Sequence, residues 1–159
     1  MTKAVLFSPI GAILVDDDGH WLNSIRILDG VEAVPPGYTE AAPGSVAEEV
    51  LRQLNAYFDD RDSGFDLPLA PLSSERGAAL RAAIAAIPAG ETISYGALAR
   101  LAGSAPRAIG QACARNPFPV IIPCHRVVGS GGAIGHYTGG RGVATKRWLL
   151  NHERRGGLL

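Results

Sequence analysis

The sequence predicts an α+β chain in two parts. The first is a small N-terminal subdomain built from a β-hairpin or sheet plus one helix, and the second is a mostly α-helical C-terminal subdomain with a helix-turn-helix. Short apolar runs between turn residues fill the chain before residue 30, whereas helical periodicity dominates after residue 73. Charge divides at the same place. Residues 1–70 hold 4 Lys/Arg against 12 Asp/Glu, and residues 71–159 hold 11 against 3.

The N-terminal subdomain begins with three predicted strands, at residues 4–7, 12–15 and 21–28. The first two are separated by the turn Ser8-Pro9-Ile10-Gly11, and the last two by an acidic loop at residues 16–19. Runs of this length bounded by turn residues are typical of antiparallel strands. We therefore expect a small sheet.

One helix follows a loop without periodicity. Ser45 and Glu48 have the spacing of a capping box, which predicts the helix start. The apolar positions that share one helical face are Ala47, Val50, Leu51, Leu54 and Phe58. An extended stretch with Pro68 and Pro71 comes next, and it predicts a boundary between domains 1–70 and 71–159.

The C-terminal subdomain begins with a predicted helix at residues 74–87. Two shorter helices are expected at residues 95–102 and 105–114, joined by a Gly-Ser turn, and a last helix at residues 144–154. The long polar side chains of the third helix are Arg107, Gln111 and Arg115. Two short helices joined by a glycine turn, the second one basic, indicate a helix-turn-helix. An ordinary αα corner is the alternative.

The pair Cys124-His125 carries the clearest chemical signal. It follows Pro123 and a predicted buried strand at residues 120–122. An adjacent imidazole can accept the thiol proton, and only the thiolate is nucleophilic. A buried structural thiol beside an ordinary histidine is the alternative. The glycine-rich segment after residue 128 lacks the Lys-Ser/Thr ending of a phosphate-binding loop.

Composition excludes several classes of protein. The cysteines Cys113 and Cys124 form no disulfide framework, and the 4 histidines are too scattered for a metal site. No signal peptide or membrane-length apolar run is visible, so we expect a cytoplasmic chain without metal, cofactor or membrane partner. The basic C-terminal half predicts a polyanion such as nucleic acid as partner. Docking of the two oppositely charged halves is the alternative.

A series of ordered motifs spans residues 87–153. They are Ile87-Pro88, Gly90-Glu91-Thr92, Ser94-Tyr95, Arg107-Ala108-Ile109-Gly110, Asn116-Pro117, Pro123-Cys124-His125-Arg126-Val127, Tyr137-Thr138-Gly139-Gly140, Lys146, Leu149-Leu150 and Glu153. Together they closely resemble those of the O6-alkylguanine-DNA alkyltransferases, which are direct-reversal DNA repair proteins. The turn at residues 8–11 and the segment at residues 53–58 resemble the N-terminal domain of that family more weakly.

This resemblance implies a single-turnover methylated-DNA–[protein]-cysteine S-methyltransferase. Such a protein flips O6-alkylguanine out of double-stranded DNA and transfers the alkyl group irreversibly to Cys124, without a cofactor. It also implies a ribonuclease-H-like subdomain at residues 1–70, and a DNA-binding and alkyl-acceptor domain at residues 71–159. We expect a monomer that needs no protein partner.

The resemblance also implies roles for individual residues. His125 acts as base through a water, Glu153 orients His125, and Tyr95 donates a hydrogen bond to the departing base. The residues expected to contact DNA are Arg107, which fills the vacated stack, Ala108 against the minor groove, Tyr95, Gln111 and Arg115. The residues expected around the substrate are the hinge residue Asn116, Val127, Tyr137, Thr138 as hydroxyl donor to O6, and Cys113.

Four positions depart from the family pattern. Arg76 and Arg81, or their neighbours, stand where the family commonly has Phe and Trp. Pro106 precedes Arg107 in place of a small residue, and Thr138 replaces a serine. Two alternatives to repair stay open. One is an alkyltransferase-like protein that binds the lesion without transfer, although such proteins replace the cysteine. The other is a helix-turn-helix regulator, for which no Cys-rich sensor segment is present.

Overall fold

The computed structural model describes residues 1–154, which form two compact units. The first comprises Met1–Ala70 together with Gly139–Arg141, and the second comprises Pro71–Thr138 and the chain from Gly142 onward. A three-stranded antiparallel sheet and one helix form the first unit, while four helices and one two-stranded pair form the described part of the second. The predicted α+β class is confirmed.

The sheet of the first unit consists of β1 (Thr2–Ser8), β2 (Gly11–Asp17) and β3 (Leu22–Ile27). The strands are paired in that order, and the Ser8 hydroxyl donates to the carbonyl of Gly11 across the first turn at 2.7 Å. The central strand is the most buried, as expected for a strand with a neighbour on each side.

Helix α1 (Val46–Asp59) packs against this sheet. The predicted cap is present, because the Ser45 hydroxyl accepts from the backbone N–H of Glu48 at 3.1 Å. The buried carboxylate of Asp17 accepts from the N–H of Ala47 at 2.8 Å. A negative charge at a helix N-terminus is stabilising, so the end of β2 fixes the start of the helix.

The second unit contains four helices and a short parallel strand pair. The helices are α2 (Glu75–Ala85), α3 (Tyr95–Ala102), α4 (Pro106–Ala114) and α5 (Val143–Glu153). Strand β4 (Ile93–Ser94) pairs with β5 (Val127–Val128), which brings the start of α3 beside the chain that follows Cys124. None of the helices within residues 1–154 has both the length and the apolar character that a bilayer crossing requires.

Helices α3 and α4 form the predicted helix-turn-helix arrangement. The Ser94 hydroxyl caps α3, and Gly103 ends it in the left-handed conformation at φ 63°. Pro106 occupies the first helical position of α4, where its missing N–H has no consequence. The sequence therefore encodes both the turn and the helix start.

The strand predicted at residues 120–122 is wrong. These residues form turns instead, and Val120 has a φ of 74°, which a β-branched residue rarely adopts. Pro123 (φ −80°, ψ 61°) is the centre of an inverse γ-turn in which the N–H of Cys124 donates to Ile122 at 2.7 Å. The apolar run is buried, as predicted, but it is not paired with a neighbouring strand. Apolar character alone therefore did not distinguish a buried strand from buried turns.

Candidate active site

A small pocket of about 60 Å³ in the second unit has Cys124 in its wall. Its lining residues are Tyr95, Gly110, Cys113, Ala114, Cys124, His136, Tyr137 and Thr138. They come from the start of α3, one face of α4, the turn after Pro123 and the glycine-rich segment. Five residues that the sequence assigned to the site thus meet in one place: Tyr95, Cys113, Cys124, Tyr137 and Thr138.

The thiol of Cys124 is largely buried, with 7% of the residue exposed. Burial raises the pKa of this thiol, and two contacts partly offset the effect. The side-chain amide of Asn116 donates to the sulfur at 3.4 Å, and the charge of Lys146 also favours the thiolate. Because burial dominates, the resting side chain is a neutral thiol that needs a base.

Asn116 ties the end of α4 to the turns that carry Cys124. Its side-chain N–H also donates to the carbonyl of Ile122 at 2.9 Å, and its oxygen accepts from the N–H of Phe118 at 2.9 Å. The amide therefore contacts the turn at three points. It lies beside the sulfur, although it does not line the 60 Å³ pocket.

His125 is fully buried, and its Nε2 lies 2.8 Å from Oε2 of Glu153. Burial lowers the pKa of the imidazole, and it outweighs the opposing effect of the Glu153 carboxylate. The neutral ring must carry its proton on Nε2 to donate to a carboxylate. Nδ1 is then a buried acceptor, and no described group bonds to it.

Arg126 holds the same carboxylate from the other side. Its Nε and Nη2 donate to the two oxygens of Glu153 at 2.8 Å each, and its Nη1 donates to the carbonyl of Ile87 at 2.6 Å. This bidentate pair fixes the position of Glu153 and hence the tautomer of His125. The sequence favours Arg126 pairing within the fold over contact with substrate, but it does not identify Glu153 as the partner, because the two positions are 27 residues apart.

Lys146 is a second functional candidate that sequence reasoning missed. Its side chain is fully buried, and Nζ donates to the carbonyls of Val127 at 2.7 Å and His136 at 3.2 Å. Nζ also lies 5.9 Å from the ring centroid of Tyr95. Burial lowers the pKa of this ammonium. Val127 thus contributes a carbonyl that Lys146 already engages, and its side chain lies outside the pocket lining.

Cys113 and Tyr95, two further ionisable groups of the pocket, stay protonated at neutral pH. Burial raises the pKa of Cys113 to about 12, and the charge of Cys124 adds to the effect. Burial also raises the pKa of the Tyr95 phenol, and the two thiols contribute. Cys113 therefore lines the pocket as a neutral, weakly polar side chain. Tyr95 keeps the proton that a hydrogen-bond donor requires.

Four of the five residues expected to contact DNA lie on α4 and its C-terminal end, outside this pocket, whereas the fifth, Tyr95, begins α3 and lines the pocket. Arg107, Gln111 and Arg115 are exposed, and Ala108 is half-buried. A second cavity of about 330 Å³ lies between α2 and α4, and Ala108, Gln111, Arg115 and Asn116 contribute to its lining. Arg107 lines neither of these two cavities.

Metal ligands do not cluster in the described chain. Within residues 1–154, no group of three or more His, Cys, Asp or Glu side chains is placed to hold an ion. The 60 Å³ pocket, called the acceptor pocket below, is lined by two thiols, three hydroxyl groups, the side chains of His136 and Ala114, and the backbone of Gly110.

Comparison with known proteins identifies the family. A family model described as 6-O-methylguanine DNA methyltransferase, DNA binding domain, matches residues 77–155. The methylated-DNA–protein-cysteine methyltransferase of Mus musculus is 40% identical over 172 residues, covering 96% of this chain and 81% of that protein. The chain belongs to the 6-O-methylguanine DNA methyltransferase family. The resemblance inferred from the motifs is confirmed.

Two further relatives of this methyltransferase family cover nearly the whole chain. The methylated-DNA–protein-cysteine methyltransferase of Methanosarcina acetivorans is 38% identical over 157 residues, covering 96% of this chain and 98% of that protein. The crystal structure of Mycobacterium tuberculosis OGT in complex with DNA superimposes with a TM-score of 0.81 at 34% identity. It covers 97% of this chain and 93% of that one.

Arg76 and Arg81, two of the residues that the sequence marks as departures from the family pattern, both have partners in the second unit. The guanidinium of Arg81 lies over the ring of the buried Phe118, with 5.1 Å to the centroid. Arg76 donates to the hydroxyl of Ser104 at 3.3 Å. Arg81 thus makes a cation–π contact inside the second unit.

Proposed function

We propose that this chain is a DNA repair protein that flips O6-alkylguanine out of duplex DNA and transfers the alkyl group irreversibly to Cys124. The observation that carries the proposal is the arrangement at the acceptor. A buried thiol faces a small pocket, and the adjacent His125 is neutral with Nδ1 available as a base. Membership of the methyltransferase family supports the same reaction.

The chemical step is a displacement at the alkyl carbon. The thiol proton leaves through a water to Nδ1 of His125, and a sulfur electron pair forms the S–C bond while the C–O6 bond breaks. Guanine departs with the electrons of that bond and takes up one proton at N1, so no net proton is consumed. The thioether has no route back to the thiol, and each molecule acts once.

The leaving guanine needs hydrogen-bond donors as negative charge develops on it. In this proposal the Tyr95 hydroxyl donates to the departing base and the Thr138 hydroxyl donates to O6. Tyr95 stays protonated because burial raises the pKa of its phenol. Cys113 lines the pocket as a neutral group, and the Val127 carbonyl keeps a second lone pair for the exocyclic amine.

Access to the lesion requires base flipping, because a pocket-held thiol cannot reach a stacked base. Arg107 is exposed in the first turn of α4, where its side chain can enter the vacated stack. Ala108 would lie against the minor groove, and Gln111 and Arg115 would contact the DNA further along the helix. Asn116 would act as the hinge between this helix and the acceptor.

In the same proposal we assign a structural class or a function to each of the two domains. Residues 71–159 form the DNA-binding and alkyl-acceptor domain, and residues 1–70 form a ribonuclease-H-like subdomain. The protein acts as a monomer on double-stranded DNA. Cytoplasmic location agrees with the two cysteines, both of which are free thiols.

Peptide mapping after reaction with O6-methylguanine duplex tests the transfer. Trypsin cleaves after Arg107, Arg115 and Arg126, so Cys113 and Cys124 fall in separate peptides, residues 108–115 and 116–126. We expect the second peptide to gain the mass of one CH₂ unit, and Cys124→Ala to gain nothing. Saturated binding without a mass gain would favour the alternative, an alkyltransferase-like protein that flags lesions. A gain on the first peptide would move the acceptor to Cys113.

A further inference from the structure

Two buried side-chain polar atoms in residues 1–154 have no hydrogen-bond partner: Nδ1 of His125 and the hydroxyl oxygen of Tyr137. Such atoms are rare, since a buried polar group that makes no hydrogen bond destabilises the fold. Both belong to residues at the acceptor. His125 follows Cys124 in the chain, and Tyr137 lines the same pocket as Cys124.

The Tyr137 hydroxyl lies within electrostatic reach of two ionisable groups of the site. Burial dominates the rise in its pKa, and the charges of Cys124 and Glu153 add to it. Its ring is half-buried while its hydroxyl oxygen is fully buried. Tyr137 and Cys124 line the same pocket, and Glu153 is hydrogen-bonded to His125, so both groups that act on the hydroxyl belong to the Cys124-His125 site.

We propose that Tyr137 is a positioning residue for proton removal: its hydroxyl and His125 Nδ1 together hold one water against the sulfur of Cys124. This role rests on the transfer reaction proposed above, and it differs from lining the substrate pocket. Three polar partners fall within the two to four that a buried water needs. One water satisfies both orphaned atoms at once.

The hydrogen bonds of this water explain why the Tyr137 hydroxyl is needed in addition to Nδ1 of His125 and the sulfur of Cys124. The water donates one hydrogen to Nδ1 of His125 and the other to the Tyr137 oxygen, which leaves a lone pair for the thiol proton. When that proton arrives, the hydrogen on Nδ1 transfers, and the water then donates to the thiolate. Tyr137 accepts in both states, so it fixes the orientation of the water throughout.

Tyr137→Phe tests this role because it removes only the hydroxyl. We expect single-turnover methyl transfer at neutral pH to fall about 10-fold, less than the roughly 10²- to 10⁴-fold effect of a general base itself. The difference from wild type should narrow as the pH rises towards the raised pKa of the thiol, because hydroxide then removes the proton without the oriented water. Affinity for the lesion duplex should not change.

Tyr38→Phe is the matched control, because it removes a phenol that bonds Asp16 in the first unit. It should leave the rate and the pH profile unchanged. If Tyr137→Phe lowers the rate equally at every pH and weakens lesion binding, Tyr137 only shapes the substrate pocket and the proposal fails. An unchanged rate overturns it as well.

Iodoacetamide labelling of Cys124 without DNA separates this proposal from the repair reaction. Loss of the oriented water should slow labelling of Tyr137→Phe at neutral pH and leave it unchanged at high pH. If wild type transfers no methyl group yet shows this labelling difference, the repair function fails while the role of Tyr137 stands. Identical labelling of the two proteins would contradict the role of Tyr137.

Discussion

Opposing effects act on the ionisation of the Cys124 thiol. Burial favours the neutral thiol, while the Asn116 amide and the Lys146 charge favour the thiolate. A buried neutral thiol is protected from other reactions, which is an advantage for a group that is to react once with one substrate. In the proposed mechanism His125 removes this proton, and the 2.8 Å contact with Glu153 holds the tautomer of His125 that can do so.

Glu153→Gln tests that dependence at the residue scale. It removes the charge that orients His125 and leaves the Arg126 guanidinium without its carboxylate. We expect the single-turnover rate at neutral pH to fall about 10²-fold. The free energy of unfolding should fall by about 3 kcal/mol, because a buried ion pair loses one partner. Single-turnover kinetics and chemical denaturation measure the two effects.

The control is Glu40→Gln, which changes an exposed carboxylate in the first unit. It should alter neither quantity. A Glu153→Gln protein that reacts at the wild-type rate would show that the carboxylate has no part in proton removal, whatever its effect on stability.

At the scale of elements, the two faces of α4 have different surroundings. One face borders the acceptor pocket through Gly110, Cys113 and Ala114, and the other presents Ala108, Gln111 and Arg115. Arg107 stands at the start of the helix. The proposed flipping role therefore belongs to a side chain that takes no part in the pocket.

Arg107→Ala should affect repair only when a base must leave a duplex. Flipping requires a few kcal/mol, and part of it is offset when the vacated space is filled. We expect methyl transfer from duplex DNA to slow about 10²-fold, with no change in the rate with free O6-benzylguanine. Arg52→Ala on α1 is a charge-matched control that should leave both rates unchanged. Equal slowing with both substrates would argue against the flipping role.

The sequence predicted elements well where the signals are local. Ser45, Ser94, Gly103 and Pro106 mark helix ends through contacts within a few residues, and the helices lie close to their expected bounds. The failure at residues 120–122 has a different origin. Val120 is held at φ 74° in a buried turn, and no propensity favours a β-branched residue there.

The sequence also predicted part of the site. The Cys124-His125 adjacency is visible in the sequence, and the family motifs named the residues that meet in the pocket. The contacts of Arg126 with Glu153 and Ile87, and those of Lys146, depend on how distant segments pack. No spacing rule links such positions, so these contacts required the fold.

At the scale of the whole molecule, charge and pH act on stability through the second unit. His125 is the fully buried histidine of the described chain, and burial lowers the pKa of its imidazole. In the unfolded chain a histidine titrates near pH 6.5. Below that pH the unfolded state binds a proton that the folded state excludes, so stability falls as pH falls.

We therefore expect the free energy of unfolding to drop through this group as the pH falls from about 6.5 to about 5.5. Denaturant titrations of wild type and His125→Asn at both pH values measure it. The variant should lose this part of the pH dependence, although it is less stable throughout. His20→Asn, at an exposed position, should keep it. Equal pH dependence in wild type and His125→Asn would show that the buried imidazole is not responsible.

The central claim is that Cys124 accepts one alkyl group and acts once. Titration of the protein with excess duplex that carries a radiolabelled O6-methyl group tests it most directly. The account predicts that label on the protein rises to one methyl per molecule and stops, while an equal amount of lesion becomes guanine. Bound duplex with its lesion intact, or repair beyond one lesion per protein molecule, would contradict it.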